Sequence, residues 1–362
     1  MNTDSDAPFK GTHIKEIDTF RAAAMISVLL FHYIKEFYPG TASFLLFGWT
    51  GVDIFFIISG FVLYLQFRRK YLKDSHIEYG LYFRNRFMRI APAFYASLLA
   101  EVVLFHPGQL LSKSFIAHLT FTHMVSYDIA YSIQPVYWIL AVEVQFYLVI
   151  IFCGRMFSER KGYAGLLVVF LLSLFYRYAV SLKFGYSHTG ILLINHLPGR
   201  LPEFCCGIAM AKLYRDRGLW GRLTGSVVNI SAILVAGMII YVPLAGLWLS
   251  GRDEIFNDTL ISTVFHPLIG LSYSLIMLAL MGLPERIRFL VRLRPVVFIG
   301  LMSYSIYLWH MFVIEFLNKY LHLKDMVLRA GLKMAIAVII TLAVSTVSYY
   351  LIEKTFLRFR KV

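Results

Sequence analysis

Charge is scarce in this chain, and acidic charge scarcest. Of 362 residues 15% are charged, with 21 Asp and Glu against 35 Lys and Arg. Soluble domains carry about 25% charged and about 45–50% apolar residues. Here 59% of the residues are hydrophobic, which excludes an ordinary soluble domain. Cysteine is nearly absent. Cys153, Cys205 and Cys206 fall near the ends of apolar runs, and two of them are adjacent, so neither a disulfide framework nor a CxxC redox motif is available. They read as small buried hydrophobes. The chain also lacks a P-loop, a GxSxG elbow and a dinucleotide-binding fingerprint. His118 and His123 are five residues apart without an HExxH frame, so no zinc centre and no other metal is expected. A cleavable signal peptide is missing too: residues 1–16 are polar, and Asp18 and Arg21 stand at the mouth of the first apolar run. No internal repeat, low-complexity linker or appended soluble domain is visible, and about ten residues follow the last apolar run. Any chemistry is therefore expected of the membrane domain itself.

What the chain has is length and apolarity in repeated blocks. About 20 consecutive apolar residues span a bilayer as a helix, and the pattern predicts ten such helices, near 17–37, 46–67, 87–106, 135–153, 163–182, 191–213, 224–248, 259–282, 295–317 and 328–352. Pro92, Pro198 and Pro202 are expected to bend or break the third and sixth. With the N-terminus inside, the inner segments (the N-terminus through Arg21, 68–89, 155–161, 212–222, 286–294 and 354–361) hold 25 of the 35 Lys and Arg. The positive-inside rule thus gives both termini a cytoplasmic position. Most of the net charge of +14 is topological and calls for no nucleic acid. The expected fold is an all-α polytopic membrane bundle. A cytoplasmic segment 1–16 precedes a transmembrane domain 17–354, and a basic cytoplasmic tail 355–362 follows it. The lipid bilayer is a partner, and oligomer formation is left open.

The first span reads Arg21, ten mostly apolar residues, then His32. Eleven helical steps of 100° make about three turns, so the two side chains share a face roughly 16 Å apart along the axis. A charge in hydrocarbon costs about 2.5–3.5 kcal/mol on insertion scales, which makes intramembrane ionisable groups functional candidates. Arg21 reads as an anion anchor near the cytoplasmic surface and His32 as a deep proton-handling group. At 1.5 Å per residue, His32 and His310 lie about 22 Å from the inner edge and Glu143 about 18 Å. Asp53 and Arg200 also count into the outer half. Five ionisable side chains from five helices are thus expected in one slab, several lining one polar cavity. Plainer roles exist for three of them. Arg200 and Glu203, one turn apart, fit an ion pair. Asp53 fits a helix cap, and His310 an interhelical hydrogen bond. At the inner surface Arg84, Arg86 and Arg89 precede the third span. Arg86 and Arg89, at i and i+3, present two forked donors suited to phosphate, with snorkelling topology signals as the alternative.

At these residues the chain resembles the acyltransferase-3 family of integral-membrane O-acyltransferases over nearly its whole length. Arg21 and His32 match an Arg-ten-residues-His pattern. Gly48-Trp-Thr-Gly-Val-Asp53 running on to Ser59-Gly60 matches a second-helix signature, and Arg86-Phe-Met-Arg89 with Ile-Ala-Pro92 an Arg-x-x-Arg motif. Trp138 to Tyr147, Arg200-Leu-Pro-Glu203-Phe with Gly207, and Ser303-Tyr-Ser-Ile-Tyr-Leu-Trp-His310 match three further blocks. The resemblance implies ten core helices in a bacterial inner membrane. It also implies transfer of an acyl group, commonly acetyl, from a cytoplasmic CoA thioester to hydroxyls of surface polysaccharides or lipid-linked sugars. It makes His32 catalytic and gives Arg21, Arg86 and Arg89, with Arg84 beside them, to CoA. Ala141 and Val144 stand where many relatives carry a serine and an acidic residue. Some relatives add an eleventh helix and an SGNH hydrolase-like domain, which this chain is expected to lack.

The expected chemistry has neutral His32 taking the proton of an acceptor hydroxyl while Glu143 or Asp53 orients the ring. His310, Trp138, Tyr307 and Arg200 are expected to meet the acceptor, and Ser59, Tyr307 or backbone N–H groups the oxyanion. A transporter or flippase is the competing class, since it too places polar residues at midmembrane.

Overall fold

The computed structural model describes residues 13–40, 44–67, 72–73, 76–158, 162–322 and 329–359. Parts of the expected flanks (1–12 and 360–362), of the basic segments 68–89 and 155–161, and the side chain of Cys153 lie outside the described residues. Among the described residues, ten long helices carry the fold. They are α1 (Lys15–Phe37), α2 (Gly51–Gln66), α3 (Tyr79–Phe105), α4 (Trp138–Ser158) and α5 (Gly162–Phe184), then α6 (Leu197–Arg215), α7 (Val227–Gly251), α8 (Thr259–Gly282), α9 (Ser303–Leu321) and α10 (Ala330–Ser348). The β-structure among the described residues is a two-residue hairpin, Leu72–Lys73 against His76–Ile77.

Among the described residues, eight segments are long and apolar enough to cross a membrane. A ninth arises if Arg294–Leu301 and α9, bent 70° apart, form one span. The protein is an integral membrane protein. The departure from ten falls at the sixth expected span. The chain breaks at His196 into a short helix His188–Asn195 and α6, and α6 carries Arg200, Glu203, Lys212 and Arg215, too many charges for an apolar span by composition. Pro198 sits in the first turn of α6, where its missing N–H has no intrahelical partner to lose. Pro92 lies inside α3 without ending it. That helix begins eight residues before the expected position, so Arg84, Arg86 and Arg89 ride on an ordered helix and not on a loop.

Helices in lipid associate through close packing, because the tails are as apolar as leucine. α2 and α6 approach closely: a Cβ on Gly60 would strike the Phe204 carbonyl, and one on Gly207 the Ile57 carbonyl. Only hydrogen at these positions lets the two backbones touch. α8 is central, with 61% of its apolar window buried, while α7, at 17%, turns Val235, Ile239 and Val242 outward to lipid. Both ends of the described chain lie at the end of the bundle that holds Arg89. Arg89 Nη1 is 3.5 Å from Glu353, in the π-helical turn Tyr349–Glu353, and Arg84 donates to the Phe359 carbonyl.

Candidate active site

Two cavities open within the bundle. The larger, of about 690 Å³, lies among α1, α2, α3, α4, α6 and α9 and is lined by Arg21, Arg86, Arg89 and Arg215 against the carboxylates Asp18 and Glu143. Four guanidinium groups against two acids leave an anion-accepting surface, and the volume falls in the ~300–1,000 Å³ range of small-molecule sites. Neighbours aim three of these arginines, Arg89 through Glu353. Arg86 Nη2 donates to Gln66 Oε1 at 2.5 Å and lies over the rings of Tyr82 and Tyr147. Arg21 Nη1 donates to Asp18 Oδ1 at 2.9 Å. Deeper in the same cavity Glu143 Oε1 accepts from Ser59 Oγ at 3.0 Å and from the Tyr147 hydroxyl at 2.6 Å.

The smaller cavity, of about 220 Å³, is lined by His32, Trp49, Asp53, Trp138, Arg200, His266 and Tyr307, with Phe31, Tyr131 and others. His32 Nδ1 lies 3.0 Å from the Val28 carbonyl, and His310 Nδ1 lies 2.7 Å from the Tyr307 carbonyl. Carbonyl oxygens only accept, so each neutral ring carries its proton on Nδ1. His310 Nε2, 3.3 Å from His32 Nδ1, is then an acceptor that shares the His32 proton with Val28. His32 Nε2 keeps its lone pair and makes no hydrogen bond among the described residues. This is the state a general base needs.

Beside it Asp53 Oδ1 accepts from Arg200 Nη1 at 3.2 Å and from His266 Nδ1 at 2.9 Å. Arg200 also reaches Glu203 Oε1 at 3.2 Å and Asn195 Oδ1 at 2.5 Å, and its guanidinium lies 5.4 Å from the Trp138 ring centre. Asp53, Glu203 and His266 offer ligand atoms within 4.8 Å of one another. Arg200 already bridges both carboxylates, however, and holds the position a cation would take. Tyr307 lines both cavities, its hydroxyl donating to the Val136 carbonyl at 2.5 Å. It is their common wall.

The five-residue slab therefore divides. His32, Asp53 and Arg200 share the small cavity with Trp138 and Tyr307. Glu143 faces the arginine cavity instead and does not touch His32, because α4 points it toward Ser59 one helix away. Asp53 does not touch His32 either: Arg200 and His266 hold it. His310, expected against the acceptor, lines neither cavity and is fully buried behind His32. Arg84 is exposed and also lines neither cavity. Two residues from Arg86 is 200° around the helix, so it faces away. His266 and Arg177 were missed. Arg177 donates to the carbonyls of Thr263, Gly199 and Ser262 and pins α5 to α6 and α8. Both stand inside apolar runs, and that position was the available signal. His118 and His123 stack at 4.2 Å, each held by a backbone carbonyl. Burial pushes them down to about 4 and about 3, so both are neutral.

The fold and the paired cavities define a polytopic membrane protein able to hold an anionic molecule on one side of a wall and an ionisable base on the other. Residues 14–351 match the family model described as "Acyltransferase domain", and the chain belongs to that acyltransferase-3 family. It is similar to the O-acetyltransferase OatA of Staphylococcus aureus, 24% identical over 339 residues covering 85% of this chain and 52% of that protein. It is also similar to the peptidoglycan O-acetyltransferase OatA of Listeria monocytogenes, 25% identical over 336 residues covering 82% and 49%. The chain thus spans about half the length of these curated relatives. No solved structure matches it.

Proposed function

We propose that this domain moves an acyl group, acetyl in the first instance, from acyl-CoA in the arginine cavity to a hydroxyl of a cell-surface glycan or lipid-linked sugar in the histidine cavity. The donor supplies an activated acyl carbonyl. Arg86 and Arg89 hold its phosphates, with Arg21 on the facing helix. His32 Nε2 takes the acceptor's proton as its oxygen bonds the acyl carbon, and the imidazolium so formed keeps Nδ1–H shared between Val28 and His310. The C–S bond then breaks, and the departing CoA thiolate leaves as the thiol with that proton. Trp138 and the Asp53–Arg200–His266 group position the acceptor. Tyr307 stands where donor and acceptor meet, and Ser59, held by Glu143, borders the donor's path.

The observation that carries this reading is the pair of cavities with one shared residue, an arginine-lined one and one lined by a histidine whose Nε2 is free. The charge pattern supports a cytoplasmic arginine cavity and cytoplasmic termini. The reading takes 17–354 as the transferase domain, in a bacterial inner membrane, with the short flanks outside it. Purified protein should release free CoA thiol from acetyl-CoA when glycan fragments are supplied, and His32→Ala should stop it while acetyl-CoA binding persists. Glycan movement across vesicles without thiol release would favour a flippase. Full thiol release by the His32→Ala protein would remove that ring from the chemistry.

A further inference from the structure

Glu101, on α3, lies about 18 Å along the helix from Arg89 at 1.5 Å per residue, at the opposite end of the bundle from the arginine cavity. It is fully buried, and while its Oε1 accepts from Gln134 Nε2 at 3.0 Å, its Oε2 has no partner. His106, just beyond the end of α3, likewise has a buried Nε2 with no partner. Glu315, on α9, completes a group whose ligand atoms lie within 4.8 Å of one another. Neither carboxylate has a Lys or Arg ion-pair partner among the described residues. Two carboxylates facing each other this way repel unless a proton or a cation lies between them.

We propose that Glu101, His106 and Glu315 bind a single divalent transition-metal cation, zinc foremost, and that the ion ties the ends of α3 and α9 together. Two carboxylates neutralise the ion's charge, and the imidazole favours zinc over calcium, magnesium and manganese. Three protein donors leave a fourth position for water. Ligands about 2.0–2.2 Å from a common ion sit about 3.5 Å apart, so the group closes by at most about 1.3 Å on binding. The orphaned Oε2 and Nε2 atoms gain the partner that buried polar atoms ordinarily have. The site also bears on the smaller cavity. Glu315 is five residues from His310 on the same helix. Gln134, bonded to Glu101, precedes Val136, whose carbonyl receives the Tyr307 hydroxyl. The ion would thereby brace the Val136–Tyr307 wall of that cavity and the helix that backs His32, without touching the reacting atoms. This inference stands whether or not acyl transfer is the activity.

The test is calorimetric titration of the full-length, EDTA-stripped protein in detergent with zinc chloride, and in parallel with calcium chloride. Wild type should bind one zinc per chain with low-micromolar or tighter affinity and show no comparable calcium site. Glu315→Gln and His106→Ala should each weaken zinc binding at least tenfold, and the zinc-dependent rise in melting temperature should vanish in both. His106 is only half-buried and outside the helices, so its variant serves if buried-site variants fail to fold. Wild-type zinc affinity in the two variants, or no zinc binding by wild type, overturns the proposal.

Discussion

His310→Leu separates a base that is merely present from one that is supported. His310 lines neither cavity, so the substitution leaves donor and acceptor surfaces intact. The Val28 carbonyl at 3.0 Å still fixes the His32 ring. What is lost is the second acceptor for the Nδ1 proton, 3.3 Å away, when His32 becomes an imidazolium. A hydrogen bond to a charged group contributes about 1.5–3 kcal/mol, and at 1.4 kcal/mol per decade kcat should fall about 10- to 150-fold. KM for acetyl-CoA should stay within about twofold, because the ground-state ring is neutral and its orientation is retained. His310→Gln, which keeps an acceptor, should recover part of the rate. The assay is steady-state thiol release by purified protein with saturating glycan fragments. A His310→Leu enzyme at more than half the wild-type kcat, or one whose defect is confined to KM, refutes the proton-sharing argument.

Arg86→Ala with Arg89→Ala should weaken acetyl-CoA binding by about 3–6 kcal/mol in isothermal titration, at about 1.5–3 kcal/mol per charge-assisted bond. Arg84→Ala should leave it unchanged. Equal losses for all three arginines would mean general electrostatics and not a built site. His118 and His123 make the loop between α3 and α4 acid-sensitive. Their folded values near 4 and 3 lie below the ordinary 6.5, so the unfolded segment binds protons that the folded one refuses as pH drops below 6.5. The stabilisation is complete above about pH 6.5. It declines by about 1.4 kcal/mol per pH unit per histidine, roughly 2 kcal/mol each by pH 5. Thermal unfolding at pH 7.5 and 5 should show this loss. His123→Phe should roughly halve it, and an unchanged pH response in that variant would contradict the assignment.

Much of this was legible because intramembrane charge is costly and so stands out. Arg21, His32, Asp53 and Arg200 announced themselves within apolar runs, and the i, i+3 spacing of Arg86 and Arg89 placed both on the cavity face. Position along a helix can be counted from sequence, but rotation about its axis cannot. Glu143 turns toward Ser59, and His310 turns behind His32. Those directions depend on how the helices pack against one another, Glu143 against Ser59 of α2 and His310 against His32 of α1. Single-sequence periodicity does not encode such packing. The break at His196 was legible in Pro198, two residues on, which marks the sixth span as one to be bent or broken. Glu101, His106 and Glu315 escaped notice because their proximity comes from helices far apart in sequence.

The two-cavity account is tested most directly by sidedness. In proteoliposomes with one orientation of the protein selected, radiolabelled acetyl-CoA is presented to the face bearing the chain termini and glycan fragments to the other. The account predicts labelled glycan in the acceptor compartment, none with His32→Ala, and none when the two substrates exchange sides. Labelling only when donor and acceptor share one compartment would contradict it.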